Sequence, residues 1–566
     1  MTVPATTVTV GQYLARRLVE LGGTHLFGLP GDFNLSLLDE MLEVPGIEWV
    51  GNTNELNAAY AADAYARTTR GVAALVTTYG VGELSAVNGI AGSCAEDVPV
   101  VQITGMPDSA ARARGALLHH SLADGDHDHF ARAYREVTAT GAVLRAADAA
   151  LEIDRVLRVA LETSKPVYLA VPADVAVARV NSAPLRRPLH PAPSDPVALD
   201  DLRAALAETV ADAAHLTVLA GTQVHRRRAE GELAALADRP GVRVASLVGA
   251  KAMLAEEHPA SLGTYQGAMT IADDTRHAVD EAELLVLAGT VLSDVMTGLF
   301  SHGFDPSGAV QLGIRHAVVD GVTFHDVRLE DSLRVLGDVV LARGFDPLPP
   351  VAGSWPHVAA PACSPDEPLT QNALWSTVQS RVPEHAVVVA DAGTSLYGSL
   401  ELRLPAGAEL LVQPIWSSIG YTLPAVLGTC LAAPERRSIL FIGDGAAQLT
   451  AQEIATVLHR GLRPVVVVVD NSGYTIERVL QSPKAVYQDV TAWNWLAAPA
   501  MFAPGVDVFT ADVRTPAELA RALDTALGDP DRAAIVQVHV DADDVPPLLA
   551  RLGEAVARLQ SAARAG

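Results

Sequence analysis

SILFIGDGAAQLTAQEIATVLHRGLRPVVVVVDNSGYTIE, residues 438 to 477, is the stretch whose reading decides the fold. Its apolar start predicts a strand over 438–442, and Gly443-Asp444-Gly445 a sharp turn. The spacing of Leu449, Ile454, Val457 and Leu458 predicts an amphipathic helix over about 448–460 with those four facing inward, stopped by Gly461. A second strand is expected over 465–469. A βαβ unit has a right-handed crossover that makes its strands parallel, so Asp444 and Asn471 should emerge on the same sheet edge. Gly443 and Gly445 let the backbone approach a ligand, and free N–H groups at the helix start accept phosphate. Mg²⁺ takes few protein oxygens beside phosphate and water. Asp444, Asn471 and the carbonyl of Gly473 would thus leave room for a diphosphate. Taken alone, Gly-Asp-Gly is more often ordinary turn chemistry.

Working outward, apolar strand-like runs alternate with helical patterns along the whole chain. The candidates are THLFGL, IEWVGN, GVAALVTT and VPVVQIT; then LTVLAG, VRVASL and ELLVLAGT; then AVVVAD, SILFIG, PVVVVVD and AAIVQVHV. This predicts an α/β protein of mainly parallel sheets covered by helices on both faces. Pro-rich stretches over Asn181–Pro196 and Asp346–Pro368 read as extended linkers, giving three domains over 1–182, 197–345 and 366–566. The first and third share a plan in which polar residues follow strand ends; the middle third has no such constellation.

Composition excludes several classes. With 566 residues, 49% of them hydrophobic, the chain is too long for a small binding module and too apolar for wholesale disorder. A net charge of −25 would repel a phosphate backbone, so nucleic acid is not an expected partner. Cys94, Cys363 and Cys430 are too few for a disulfide framework and too far apart for a zinc knuckle. No apolar run approaches the roughly 20 residues of a membrane span, and no signal-like start is evident. A cytoplasmic protein is expected. No GxGxxG joins a strand to a helix, which argues against a dinucleotide oxidoreductase.

In the first third, Asp32 follows one strand and Glu55 the next, so both carboxylates should reach the C-terminal sheet edge. Each has an alternative role as an acid at a helix N-terminus. GALLHHSLADGDHDHF carries His119, His120, His127 and His129 without a recognised zinc spacing, and His127 and His129 read as a solvated loop. In the last third, Asp391–Gly398 and Gln413–Ala425 lie at further strand-to-helix junctions.

Gly-Asp-Gly with twenty-four residues between Gly445 and Asp470, followed by Asn471 and Gly473-Tyr474-Thr475-Ile476-Glu477, resembles the thiamin diphosphate motif of 2-oxo acid decarboxylases. PGDFNLSLLD, NELNAAYAADAYAR, His119-His120 and QPIWSSIGYT extend the resemblance to the pyruvate, indolepyruvate and phenylpyruvate decarboxylase group over essentially the whole chain. It implies a thiamin diphosphate-binding fold with a pyrimidine-binding first domain, a Rossmann-like middle domain and a diphosphate-binding third domain. It implies Mg²⁺ held by Asp444, Asn471 and Gly473. Around the cofactor it implies Glu55, Thr394, Ser417, Ile419, Gly443, Asp444, Gly445, Ala446, Asn471, Gly473, Tyr474 and Ile476. Glu55 would drive the imino tautomer of the aminopyrimidine, Ile419 would wedge between the two rings, and Asp32, His119, His120 and Glu477 would serve the later proton steps. The implied reaction converts a 2-oxo acid to an aldehyde and CO₂ through ylid and enamine. The family's two half-sites come from different subunits, which implies a homodimer or homotetramer. Two departures stand out: Asp470 where the family has Asn, and Ser417 where it has Gly.

Small Ala392, with Leu396, Ile476, Leu480 and the Trp493 and Trp495 of TAWNWLA, suggests an aryl or branched substrate such as indolepyruvate or phenylpyruvate over pyruvate. VLAGTQVHRRR contains no cysteine, so thiol-dependent activation is not expected. The alternatives are a pyruvate decarboxylase, a carboligase of the acetolactate synthase type and, last, a non-catalytic cofactor-binding scaffold.

Overall fold

A computed structural model describes residues 7–349 and 364–565. Two compact units form: residues 1–192 with 427–433, and residues 193–426 with 434–566.

The first unit is built on a six-stranded, all-parallel sheet. Its spatial order is Glu48–Gly51, His25–Gly28, Ala73–Thr78, Val100–Met106, Val167–Pro172, Gly141–Val143. Strands Ala73–Thr78, Val100–Met106 and Val167–Pro172 are buried on both faces, as a sheet sandwiched between helices requires. A short antiparallel pair, Thr7–Thr9 with Arg179–Asn181, ties the two ends of this unit together.

The second unit holds two sheets that share one hydrophobic core, in which Leu219, Tyr265 and Leu287 belong to the same cluster as Trp375, Phe441 and Val467. The seven-stranded sheet runs Ser261–Thr264, Val242–Ser246, Leu216–Ala220, Leu285–Ala288, Val310–Leu312, His316–Val319, Val322–His325. Its last two pairings are antiparallel. The six-stranded sheet is all parallel, in the order Glu409–Leu411, Val387–Ala390, Ser438–Gly443, Val465–Asp470, Ala533–His539, Val508–Val513.

The two six-stranded sheets therefore have the same order, second-first-third-fourth-sixth-fifth along the chain. In both, the order reverses between the first and third strands, and the crevice beyond their carboxyl ends is where open α/β sheets bind ligands. The expected strands appear; Val167–Pro172 and Val508–Val513, six residues each, and the shorter edge strands Gly141–Val143 and Glu409–Leu411 are additional in the two six-stranded sheets.

The helix expected over 448–460 is in fact two, Asp444–Thr450 and Glu453–His459. The break shifts the helical phase, so Ile454, Val457 and Leu458 are buried as expected while Leu449 is 51% exposed. In the first expected linker, Ala183–Arg186 form a 3₁₀ turn, and Asp195 caps the following helix through Val197 N–H at 2.8 Å. Most of the second linker, with Cys363, lies outside the described residues. Cys94 and Cys430 are free thiols. Among the described residues no helix is long and apolar enough to cross a membrane.

Trp375 is the packing centre of the third sheet. It is 1% exposed, stacks obliquely on Phe441 at 5.0 Å between ring centroids, and donates from Nε1 to Gln371 Oε1 at 3.0 Å. Gly398 lies flat against the indole, leaving no room for a Cβ. Truncating such a side chain loses transfer energy and leaves a cavity, so Trp375→Ala should cost about 3–5 kcal/mol. The check is the denaturant midpoint followed by far-UV circular dichroism.

Candidate functional site

Strands Ser438–Gly443 and Val465–Asp470 pair in register, Gly443 opposite Val469, so their carboxyl ends stop side by side. Asp444 and Asn471 follow, 4% and 2% exposed. One end of the Asn471 amide lies 3.2 Å from Asp444 Oδ1 and 2.8 Å from the Gly473 carbonyl, and the other 3.0 Å from Thr475 Oγ1. With nitrogen inward, the amide donates to both acceptors. Turned over, it places Asn471 Oδ1 among Asp444 Oδ1 and Gly473 O, three oxygens facing one point, which is the donor set of a hard divalent cation. A Cβ at Gly443 would meet nothing within 4 Å, so the strand end opens onto space on which a diphosphate could rest. The residues present thus fit both the metal and the diphosphate. Burial, reinforced by the Asp470 charge, pushes the Asp444 carboxyl up to about 7 against the Gly445 N–H bond; a bound cation would offset that cost.

Asp470 lies beside Asp444, and Gln537 Nε2 donates to its Oδ2 at 2.8 Å, with His539 Nδ1 3.4 Å from the same oxygen. The departure from the family's Asn is thereby accommodated by the neighbouring strand. Arg478, absent from the expectations above, braces the ligand loop: its guanidinium donates to the carbonyls of Asn471 at 3.2 Å and Ser472 at 2.9 Å and to Asp489 Oδ1 at 2.8 Å. Its partners are near in sequence, but they are loop carbonyls and a loop carboxylate, which no residue spacing announces. Tyr474 packs across Gly445 and Ile476 lies beside Gly393, drawing the Gly473–Glu477 segment against both turns. Glu477 is exposed; Ala446 and Thr394 are buried, Thr394 opening a short helix.

The segment between strand Glu409–Leu411 and helix Thr422–Ala432 carries Ser417 and Ile419, the latter half-buried rather than a core residue. Ser417 has φ +51°, the left-handed region that glycine tolerates without cost, and its N–H and Oγ both donate to the Gln413 carbonyl at 3.1 Å. Asp391 holds the far side of this loop. It is 1% exposed and accepts from Thr422 Oγ1 at 2.6 Å and from Gly420 N–H at 3.2 Å. The sequence placed it at a strand-to-helix junction, Asp391–Gly398, and gave it no role there.

In the first unit, His119 Nε2 lies 2.8 Å from Asp32 Oδ2, and its ring stacks on Phe33 at 5.0 Å. Asp32, His119 and His120 bring one ligand-capable atom each within 4.8 Å of one another. Glu55 is the first residue of helix Glu55–Thr69, but Asn54 caps that helix by accepting from Asn57 N–H at 2.8 Å, so the Glu55 carboxylate is not the cap. Glu55 Oε1 lies against Gly82, 3.0 Å from where a Cβ would stand. His120, at φ +62°, is held in the left-handed region. His129 pairs with Asp124 at 2.7 Å near the surface. His127 does not belong to a solvated loop: it is 4% exposed, packed near Tyr79, because the chain folds back over Phe130.

The first set (Asp32, Glu55, His119, His120) thus lies in one compact unit and the metal and loop set in the other. Of the residues considered for substrate size, Leu396 and Trp495 are core, 3% and 2% exposed, whereas Trp493 is 43% exposed.

Three family models match the chain: "Thiamine pyrophosphate enzyme, N-terminal TPP binding domain" over 8–131, "central domain" over 203–339 and "C-terminal TPP binding domain" over 391–538. Proteins named alpha-keto-acid decarboxylase from Mycobacterium bovis and Mycobacterium tuberculosis are 44% identical over 547 residues, 96% of this chain and 96% of theirs. One from Mycobacterium avium is 43% identical over 552 residues, with the same coverage.

Burial pushes the Asp391 carboxyl up to about 6 despite its donors. A folded value above the unfolded one, about 3.9, means that the stabilisation is complete below that unfolded value and is lost as pH rises through the folded one. Wild type should therefore lose about 2–3 kcal/mol relative to Asp391→Asn across the interval from about pH 4 to about pH 6. Denaturant midpoints of both proteins at several pH values check this.

Proposed function

The chain belongs to the thiamine pyrophosphate-dependent alpha-keto-acid decarboxylases, and from that membership we propose which residues run the reaction and what substrate it takes. The observation that carries the reading is the convergence of Asp444 Oδ1, the Asn471 amide and the Gly473 carbonyl at two adjoining strand ends. Mg²⁺ would be held there, between those oxygens and the cofactor's diphosphate. Residues 1–182, 197–345 and 366–566 are taken as the pyrimidine-binding, central and diphosphate-binding domains.

When bound, thiamin diphosphate supplies a carbanion at its thiazolium C2 and an electron sink for the departing carboxylate's electron pair. Glu55 would hold a proton at one ring nitrogen of the aminopyrimidine, and the carbonyl of Ser417 would accept from its amino group. Ile419 and Thr394 would line the place of the rings. Gly443, Gly445 and Ala446 give the diphosphate backbone room and N–H donors, and Tyr474 and Ile476 shape the wall. Asp32 and His119, already hydrogen-bonded, move a proton together with His120. Glu477 places the second carboxyl near the reacting carbon.

A homodimer or homotetramer completes the sites, Glu55 of one chain serving the metal half of another. Its support is the exposed apolar side chains of Leu35, Val81, Leu84, Leu117 and Leu122 around the acid and histidine segments, which a second copy would cover. Small Ala392 and exposed Trp493 favour an aryl or branched 2-oxo acid.

Aldehyde release from pyruvate, 2-oxoisovalerate, phenylpyruvate and indolepyruvate, with and without thiamin diphosphate and Mg²⁺, tests the reading. Activity should need both additions, and kcat/KM should be higher for an aryl substrate than for pyruvate. Acetolactate as main product, or a dominant preference for pyruvate, would reverse the respective part. Glu55→Gln should lower kcat at least about 100-fold, the usual scale of a lost proton-transfer group. Asp444→Ala should abolish metal-dependent retention of thiamin diphosphate on gel filtration. Sedimentation should give a dimer or larger; a monomeric active species would sink the shared-site arrangement.

A further inference from the structure

In the first sheet, strand Ala73–Thr78 stands where strand Ser438–Gly443 stands in the third, beside the reversal of strand order. The chain leaves it through Tyr79-Gly80-Val81-Gly82-Glu83 into helix Val81–Ala95. Two of these glycines are pressed against proposed site groups. Gly80, at φ +68°, is so close to the His120 backbone that a Cβ would come within 2.0 Å of its carbonyl oxygen, and one at Gly82 would stand 3.0 Å from Glu55 Oε1. One turn thus supports the carboxylate on one side and the histidine segment on the other. His120 is itself in the left-handed region, a conformation that persists only where its surroundings impose it.

Glu83 fixes that turn. Its side chain is fully buried and folds back so that Oε1 accepts from Gly80 N–H at 2.8 Å, while Oε2 accepts from Tyr168 Oη at 2.7 Å. The Thr104 hydroxyl also bonds the carboxylate, and the Gln102 amide donates to Thr104 at 3.1 Å and Thr77 at 2.8 Å. Tyr134 Oη donates to the Glu83 backbone carbonyl at 2.6 Å. A carboxylate deep inside a protein is costly unless donors surround it, and a helix cap alone would be served equally well at the surface.

We propose that Glu83 is a positioning residue: its carboxylate pins Gly80 N–H and so sets the turn against which the Glu55 carboxylate and the His120 segment both rest. It acts through the backbone and touches no reacting atom. The proposal rests on the roles proposed above for Glu55 and His120.

Two substitutions separate reach from charge. Glu83→Gln keeps the length and an acceptor for Gly80 N–H, and Tyr168 Oη can turn to accept from the new amide. Glu83→Asp keeps the charge but is one methylene short. Hydrogen exchange of the full-length, cofactor-free protein is followed by mass spectrometry over peptides covering 77–84 and 117–122. In parallel, kcat and KM are measured with thiamin diphosphate, Mg²⁺ and a 2-oxo acid. Glu83→Asp should raise exchange in both peptides and lower kcat, each about tenfold, the scale of one lost buried hydrogen bond, with KM little changed. Glu83→Gln should stay near wild type in both readouts. Unchanged exchange in Glu83→Asp, or Glu83→Gln as impaired as Glu83→Asp, would overturn the proposal. Raised exchange with undiminished kcat would instead overturn the roles given to Glu55 and His120. If Glu83→Asp does not accumulate, Tyr168→Phe serves: a smaller rise in exchange supports the proposal, and none overturns it.

Discussion

Parallel pairing of Ser438–Gly443 with Val465–Asp470 is the constraint on which the proposed metal site depends. A parallel sheet delivers all its carboxyl ends to one edge, and register fixes which residues arrive together. With Gly443 opposite Val469, Asp444 and Asn471 leave their strands side by side. Had the register slipped by one residue, the side chains of one strand would have changed faces and the three oxygens would not meet.

The same device is used in the first unit. An identical strand order puts the turn at Gly80 where the third sheet has Gly443-Asp444, and the Asp32 turn where it has Asp391. Equivalent places carry different chemistry. The third sheet presents oxygens suited to a cation and backbone suited to a phosphate; the first presents carboxylates and imidazoles suited to moving protons. The central sheet lends its apolar face to a shared core and no comparable group.

Polar residues buried around these turns are what hold the geometry. Asp391 and Arg478 gather hydrogen bonds mostly from or to backbone groups of a loop that carries a proposed site residue, and Glu83 joins the Gly80 N–H to the Tyr168 hydroxyl. Buried charge that finds its partners only in one backbone arrangement penalises the others, so such residues exchange stability for definition of the loop. The left-handed conformations of His120, Ser417 and Ser472 belong with this, being local strain that the surrounding bonds sustain.

Alternation of apolar runs with helical spacing, and the Gly-Asp-Gly turn followed at its interval by Asn471, were enough to read the α/β class, many of the strands and the arrival of Asp444 and Asn471 at one sheet edge, because these depend on local pattern and on the handedness of a crossover. Asp32 and Glu55 were legible as residues at strand ends, and the paired histidines only through the family resemblance. What the sequence could not contain was the phase break that turns Leu449 outward, the burial of His127, the core position of Leu396 and Trp495, and the bracing by Arg478 and Glu83. Each depends on how a side chain meets the backbone and side chains around it in three dimensions, and that is settled only when each sheet and its crossovers close.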